Sequence, residues 1–335
     1  MIQKTIHKLV ERNDLTTTEA YEAMLSIMSG SETDLMIAAF LTALRMKGET
    51  VAEISGCAMA MREKAVRIET VHRTVIDTCG TGGDGVGTFN ISTAAAIIAA
   101  SAGAVVAKHG NRAISSRAGS ADVLVALGVN IEVMKEKVEA CLNEVGIAFL
   151  FAPMMHGAMR FAAPVRRELG MRTVFNVLGP LTNPAGAKRQ LLGVFSPQLT
   201  ETMARVLAEL GSERALVVHG SGGLDEISTL GETKVSELKN GKVTTYQFHH
   251  DSVRIPQAHI EALLGGDAAI NAGIITHIMK GEKNACRDIA VLNAGAAIYV
   301  AGLCDTILDG VRLAQDCIDT GKAKRKLEQL SEFTR

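Results

Sequence analysis

The sequence of 335 residues contains no tryptophan, and aromatic residues make up only 4% of it. Proteins that bind single-stranded nucleic acid use aromatic side chains to stack bases, so this composition argues against such a surface. An excess of one charge is also missing, because 35 lysines and arginines face 36 aspartates and glutamates. A formal net charge of -1 gives no global field that would attract nucleic acid or an anionic membrane.

Long apolar runs and paired cysteines are missing too. The longest apolar run, residues 94–107, has 14 residues, whereas a membrane span needs roughly 20. The N-terminal stretch MIQKTIHKLVERND carries charges every few residues and lacks the apolar core of a signal peptide. The six cysteines form no CxxC pair, which is typical of free thiols in a reducing compartment. We therefore expect a soluble, cytoplasmic protein with neither a membrane nor a nucleic acid as partner.

The N-terminal region has a purely helical pattern. Residues 16–19, TTTE, form a capping box, and a helix is predicted over residues 33–47 that ends at Gly48. A further helix is predicted over residues 51–64. Since no strand pattern occurs in this region, we predict a small helical domain over residues 1–72.

After residue 73, short β-branched runs alternate with helical segments. The predicted strands include TVIDT, AVVAKHG, IAFLFAP and RALVVHG, and a hairpin is predicted around Asn240-Gly241. Such alternation predicts an α/β fold with a mainly parallel central sheet flanked by helices, beside the separate all-helical domain. We assign residues 73–156 and 179–335 to the α/β domain and expect a helical segment near 157–178 to join the helical domain.

A glycine-rich stretch, DTCGTGGDGVGTFNIST at residues 77–93, contains the GxGxxG pattern of dinucleotide-binding loops. A dinucleotide also requires a helix directly at the loop and an acidic residue about 20 positions later. Here the helical pattern starts only near Ser92, Asp84 lies inside the loop, and no Asp or Glu occurs between Gly85 and Ala121. These differences exclude a dehydrogenase and favour another phosphate ligand.

The segment that follows the glycines is rich in cations and hydroxyl groups. Its cations are Lys108, Arg112 and Arg117. Its hydroxyl side chains include Thr88, Ser92, Thr93, Ser115, Ser116 and Ser120. Because glycine loops and helix N-termini present backbone N–H groups to anions, this composition predicts a multiply phosphorylated ligand.

Two adjacent carboxylates, Asp225 and Glu226, follow the RALVVHG strand in VHGSGGLDEIS. Neighbouring carboxylates repel each other unless a cation lies between them, and hard oxygen ligands suit Mg²⁺. The alternative is a solvated surface pair, and this motif alone does not decide between the two.

Five segments together resemble the anthranilate phosphoribosyltransferases: DTCGTGGDG, FNIST, KHGNRAISSRAGSAD, VRRELGMRTVFNVLGPLTNPA and VHGSGGLDEIS. The resemblance spans the chain and implies the nucleoside phosphorylase-like fold of class III phosphoribosyltransferases. It implies transfer of the phosphoribosyl group of 5-phospho-α-D-ribose 1-diphosphate (PRPP) to anthranilate in tryptophan biosynthesis, with up to two Mg²⁺ ions. It also implies a homodimer formed through the helical domain.

The resemblance further implies a role for individual residues. The residues expected to bind PRPP are Gly80, Gly83, Asp84, Thr88, Asn90, Ile91, Ser92, Thr93, Lys108, His109, Gly110, Asn111, Arg112, Ala113, Ile114, Ser115, Ser116 and Ser120. Those expected to contact anthranilate are Gly80, Asn111 and Arg166. The expected Mg²⁺ ligands are Ser92, Asp225 and Glu226.

Two histidines, His109 and His156, are candidates for accepting the proton of the attacking amine. The alternative for each is a hydrogen-bonding role in the wall of the cleft. The family commonly has His-Pro-Ala-Met where this chain has HGAM at residues 156–159. Glycine in place of proline loosens this turn, so the sequence does not fix the orientation of the His156 side chain.

Two other functions remain as alternatives. A nucleoside phosphorylase shares the fold and a similar glycine loop, but has no need of the Asp225–Glu226 pair. A relative without enzymatic activity that binds nucleic acid is the second alternative. The neutral net charge, and the presence of both GTGGDG and the carboxylate pair, argue against it.

Overall fold

The computed structural model describes residues 2–113 and 117–335. Its N-terminal part consists of helices whose ends are encoded by local side chains. Thr16 and Thr50 each accept a hydrogen bond from the N–H of the glutamate three residues on, and each glutamate bonds back to the threonine N–H. These helices are α1 (Ile2–Val10), α2 (Thr17–Met28), α3 (Asp34–Lys47) and α4 (Val51–Lys64). The helices predicted in this region are thereby confirmed.

A single seven-stranded sheet forms the centre of the remaining chain, in the order β3-β2-β1-β4-β5-β6-β7. The first five strands run parallel, and β6 and β7 are antiparallel to their neighbours. The strands are β1 (Ile76–Gly80), β2 (Val106–Gly110), β3 (Ile147–Phe151), β4 (Arg189–Gly193), β5 (Arg214–Gly220), β6 (Thr233–Lys239) and β7 (Lys242–Phe248). The predicted α/β class with a mainly parallel sheet is confirmed.

Helices cover both faces of this sheet. The helices after β1 are α5 (Ile91–Ser101), α6 (Ser120–Ala126), α7 (Lys135–Glu144), α8 (Ala152–Met155), α9 (Ala163–Leu169), α10 (Phe175–Leu178), α11 (Leu199–Glu209), α12 (Ala268–Met279), α13 (Ala285–Ala301), α14 (Ile307–Asp319) and α15 (Lys322–Thr334). Short 3-10 helices occupy Gly157–Phe161, Gly179–Leu181, His250–Val253 and Ile260–Leu263. None of the helices in the described ranges is both long and apolar enough to cross a membrane.

Two hydrophobic cores lie on opposite faces of the sheet, because alternate residues of each strand point in opposite directions. Leu216 of β5 packs with α5 and α13, whereas Val217 packs in a core that also contains Phe40 of α3. Val165 and Phe175 lie in this second core. This shared core supports our assignment of the segment near 157–178 to the helical domain, and the domain boundaries themselves stay a prediction.

The order of the strands fixes where a ligand can bind. The chain leaves β1 towards β2 and β3 on one side, then returns to β4 on the other side of β1. The carboxyl ends of β1 and β4 therefore flank a topological switch point, the usual position of ligands in open α/β sheets.

Candidate active site

The carboxyl ends of β1 and β4 make room for Asp225. A Cβ on Gly80 would lie 2.3 Å from Oδ2 of Asp225, and a Cβ on Gly193 would lie 1.5 Å from its carbonyl oxygen. The Asp225 carboxylate also accepts the Gly82 N–H at 2.9 Å. Glycine at the end of each strand thus lets the segment after β5 approach the glycine loop after β1.

Acidic side chains cluster at this point. Oε1 of Glu226 accepts the Ser92 N–H at 3.0 Å, in the first turn of α5. Burial and, second, the charge of Asp84 raise the pKa of Asp225 to about 6. Burial and the charge of Asp225 raise the pKa of Glu226 well above its ordinary value. Two carboxylates with raised pKa values beside a serine hydroxyl are a donor set that fits a hard divalent cation.

Lys108 places a cationic side chain between β1 and the start of α5. Its side chain is buried, and Nζ donates to the Thr78 carbonyl oxygen at 2.5 Å and to Ser92 Oγ at 3.2 Å. Burial lowers the pKa of Lys108, while the charge of Asp77 is the strongest of those that raise it. The lysine therefore lies between the structural carboxylate of β1 and the candidate metal ligands.

Asp77 is a buried residue of this site that the sequence analysis missed. Its Oδ1 accepts the His109 N–H at 3.2 Å, and its Oδ2 accepts Nδ2 of Asn183 at 2.7 Å. Burial raises the pKa of Asp77, and the charge of Lys108 opposes that rise. A charged residue within the predicted strand TVIDT was the signal that could have identified it.

His109 and His156 form a buried pair with their Nε2 atoms 3.2 Å apart. Burial, followed by the charge of His156, lowers the pKa of His109 to about 3. Burial lowers the pKa of His156 to about 4. Both rings are therefore neutral near pH 7, one donating and the other accepting. A Cβ on Gly157 would meet no atom within 4 Å, so a larger residue also has space at this position.

The loop after β2 is closed by Asp122, whose carboxylate accepts the N–H groups of Ala113 and Gly119, each at 2.9 Å. Arg112 is engaged by two carboxylates, Asp122 at 3.2 Å and Glu132 at 3.1 Å. Its guanidinium would have to leave this pair to reach a phosphate. The predicted residues Ile114, Ser115 and Ser116 lie outside the described residues.

The residues before and at the start of α5 are held by contacts within the protein. Ile91 and Thr93 are buried. Asn90 does not cap the helix, because its amide group donates to the Ala118 carbonyl oxygen and accepts from Asn271. Thr88 pairs with Leu264 in an isolated β-bridge. These contacts fix the turn that links the glycine loop to α5.

Arg166 and Arg172 lie in the segment before α10, and only Arg166 was predicted. Arg166 of α9 is half-buried, its Cζ lies 5.1 Å from the Phe175 ring centroid, and burial lowers its pKa. No hydrogen bond or ion pair joins its guanidinium to any residue in the described ranges. Arg172, which the sequence analysis missed, donates from Nη2 to the Gly83 carbonyl oxygen at 2.5 Å.

Comparison with known proteins identifies the family. A model of the glycosyl transferase family helical bundle domain matches residues 3–65, and that of its a/b domain matches residues 72–324. The anthranilate phosphoribosyltransferase of Acetivibrio thermocellus is 54% identical over 334 residues, which are 100% of this chain and 97% of that protein. The chain belongs to the anthranilate phosphoribosyltransferase family.

Solved members of the anthranilate phosphoribosyltransferase family have the same fold. The Thermus thermophilus enzyme is 46% identical with a TM-score of 0.94, covering 98% of this chain and 99% of that one. The Saccharomyces cerevisiae enzyme in complex with PRPP and Mg is 28% identical with a TM-score of 0.91, covering 99% and 97%. The same yeast enzyme with 4-fluoroanthranilate matches at 27% identity and a TM-score of 0.89, over 99% and 97%.

Proposed function

We propose that this protein transfers the phosphoribosyl group of PRPP to anthranilate, giving N-(5-phosphoribosyl)anthranilate and pyrophosphate, in tryptophan biosynthesis. The observation that carries the proposal is the convergence of the glycine loop, Lys108 and the Asp225–Glu226 pair at the switch point of the sheet. The complexes of the yeast relative with PRPP and Mg, and with 4-fluoroanthranilate, support the choice of both substrates.

The pyrophosphate that leaves carries several negative charges, and neutralising them is the main task of the site. Ser92, Asp225 and Glu226 are the residues that would hold Mg²⁺, up to two ions, and the metal would stabilise the charge of the departing group. Lys108, fixed between Thr78 and Ser92, adds a further positive charge. The predicted residues of the glycine loop, the start of α5 and the loop after β2 are the proposed contacts of the PRPP phosphates, and glycine loops bind anions through their backbone N–H groups.

Anthranilate presents a carboxylate, and Arg166 is its proposed partner together with Asn111. Arg166 is half-buried and has no partner among the described residues, so a carboxylate that binds its guanidinium through two hydrogen bonds would form a strong pair with it. Holding the carboxylate would fix the amine opposite the pyrophosphate, so that attack and departure lie in line.

His109 and His156 are the proposed acceptors of the amine proton. The nitrogen of an aromatic amine becomes strongly acidic once it has attacked the ribose, so a strong base is not needed. A neutral histidine pair with lowered pKa values is suited to this task because it stays unprotonated until that step.

The direct test follows the fluorescence of anthranilate after PRPP is added, with and without Mg²⁺. We expect a loss of fluorescence that depends on both PRPP and the metal. A folded protein that causes no loss would contradict the proposal, and phosphorolysis of nucleosides would then be the reaction to assay.

We also propose a homodimer formed through the helical domain. Leu35 and Met46 of α3 are 78% and 74% exposed, and Val10 of α1 is 69% exposed. Residues 35 and 46 are 11 positions apart, about three helical turns, so they lie on one face of α3. Large exposed apolar side chains on one face of a helix favour a protein interface.

We further propose that the protein acts in the cytoplasm. All six cysteines, which lie within the described residues, are free thiols, as predicted.

A further inference from the structure

Arg172 contacts two loops at the switch point and lies next to the core that contains Phe40 of α3. It lies between α9 and α10, directly before a segment whose Val174 and Phe175 are buried in that core. Its Nη2 donates to the Gly83 carbonyl oxygen at 2.5 Å, and its Cζ lies 4.0 Å from the centroid of the Phe195 ring. One guanidinium thus contacts the loop after β1 and the segment after β4.

The loop after β1 and the segment after β4 are also hydrogen-bonded to each other. The Thr81 N–H donates to the Gly193 carbonyl oxygen at 2.9 Å, and the Phe195 N–H donates to Thr81 Oγ1 at 3.1 Å. A stacked guanidinium gains both the cation–π attraction and a fixed plane for its donors. Phe195 therefore holds Arg172 in the orientation that binds the Gly83 carbonyl.

The bond to Gly83 sets the direction of a backbone donor. The C=O of Gly83 and the N–H of Asp84 belong to one planar trans peptide, so they point in opposite directions. With the carbonyl held by Arg172, the Asp84 N–H points away from the arginine. No acceptor for this N–H occurs among the residues that the structure describes. Gly83 has φ 75°, and a Cβ there would lie 3.4 Å from Nη2 of Arg172.

We propose that Arg172 is a positioning residue for the PRPP diphosphate: by holding the Gly83 carbonyl, it turns the Asp84 N–H of the glycine loop towards the diphosphate. It acts through the loop and not on the reacting atoms. Because the segment that follows Arg172 is buried in the core that contains Phe40 of α3, the same contact connects the helical domain to the phosphate site. This inference rests on the proposed function, since PRPP is the ligand that the loop would bind.

The experiment compares Arg172→Gln, Arg172→Lys, Phe195→Leu and the double variant Arg172→Gln/Phe195→Leu with the wild type. Arg167→Gln is the matched control, because Arg167 is an exposed arginine of the same stretch. The KM values for PRPP and for anthranilate are measured separately, together with kcat and the melting temperature. A merely structural arginine would lower the melting temperature without separating the two KM values.

We expect Arg172→Gln to raise the KM for PRPP about tenfold, as for the loss of one charge-assisted hydrogen bond, with the anthranilate KM changed by less than about twofold. Arg172→Lys should recover part of the loss, because lysine keeps a donor but not the planar stacking group. In the double variant, the KM for PRPP should rise by less than the product of the two single-variant increases, since both residues act on one contact. Arg167→Gln should match the wild type.

A wild type without transferase activity would overturn the proposed function and the inference with it. With an active wild type, an unchanged KM for PRPP in Arg172→Gln would overturn the inference alone, and so would an equal rise of both KM values. If Arg172→Gln does not fold, the PRPP KM values of Arg172→Lys and Phe195→Leu decide in the same way.

Discussion

At the scale of single residues, Arg166 gives the sharpest prediction. Arg166→Ala should raise the KM for anthranilate by the equivalent of about 1.5–3 kcal/mol, with a smaller effect on PRPP, because a charge-assisted pair with the carboxylate is lost. Steady-state kinetics with each substrate varied in turn measures both effects. Arg167→Ala, which removes an exposed neighbouring charge, is the control. Parallel changes in both KM values would mean that Arg166 shapes the cleft and does not hold the carboxylate.

The histidine pair predicts how stability depends on pH. Burial holds the pKa values of His109 and His156 at about 3 and about 4, below the ordinary value of 6.5. The unfolded chain therefore binds more protons than the folded protein between about pH 4 and 6.5, and stability falls as the pH falls through this window. The expected loss is about 1.4 kcal/mol per histidine for each pH unit below 6.5.

Urea unfolding at pH 7, 6 and 5 measures this loss. A His109→Asn/His156→Asn variant should lose stability less steeply on acidification than the wild type, and the carboxylates contribute equally to both proteins. If the free energy of unfolding falls equally steeply with pH in the wild type and the variant, the pair is not held neutral by burial.

The sequence identified some residues of the site and missed others for a physical reason. The glycine loop and the Asp225–Glu226 pair are contiguous motifs, so their chemistry is visible along the chain. Asp77 and Arg172 act through partners that are distant in sequence, Asn183 and Phe195 among them. Arg112 was expected at a phosphate, but its carboxylate partners become apparent only when the chain is folded.

At the scale of elements, prediction succeeded where the backbone signal is local. The hairpin at Asn240-Gly241 was predicted, and both residues have positive φ, 53° and 73°, as a type I′ turn requires. The strand β4 (Arg189–Gly193) was missed, because RQLLG has no β-branched residue and no alternation. It is a strand because β1 and β5 pair with it on either side.

The end of this missed strand gives a prediction about the metal site. Gly193→Ala would place a Cβ 1.5 Å from the Asp225 carbonyl oxygen, so the backbone carrying Asp225 and Glu226 must move. We expect weaker binding of Mg²⁺, by about tenfold or more, because metal ligands tolerate little displacement. Titration of the metal by calorimetry measures it.

Gly241→Ala is the control for this metal titration. It strains a positive φ in the turn between β6 and β7 and should cost roughly 1 kcal/mol of stability while leaving metal binding unchanged. An unchanged Mg²⁺ affinity in Gly193→Ala would count against Asp225 and Glu226 as the ligands.

At the scale of the whole molecule, the two tasks that we propose for the helical domain use different faces of its helices. The buried face of α3, with Phe40 and Leu44, shares a core with Val165 and Phe175, close in sequence to both Arg166 and Arg172. The opposite face, with Leu35 and Met46, is exposed. A partner covering this second face would stabilise the helical domain without blocking the cleft, so dimer formation and catalysis are separable.

This separation predicts the behaviour of a Leu35→Glu/Met46→Glu variant. Two carboxylates placed in an apolar interface would have to be buried without partners, which is costly, so the variant should be a monomer where the wild type is a dimer. Light scattering measures the mass, and the variant should keep the PRPP and anthranilate KM values of the wild type. Leu313→Glu, which charges an exposed leucine of α14, should stay a dimer. A wild-type monomer, or a dimeric double variant, would show that this face of α3 is not the interface.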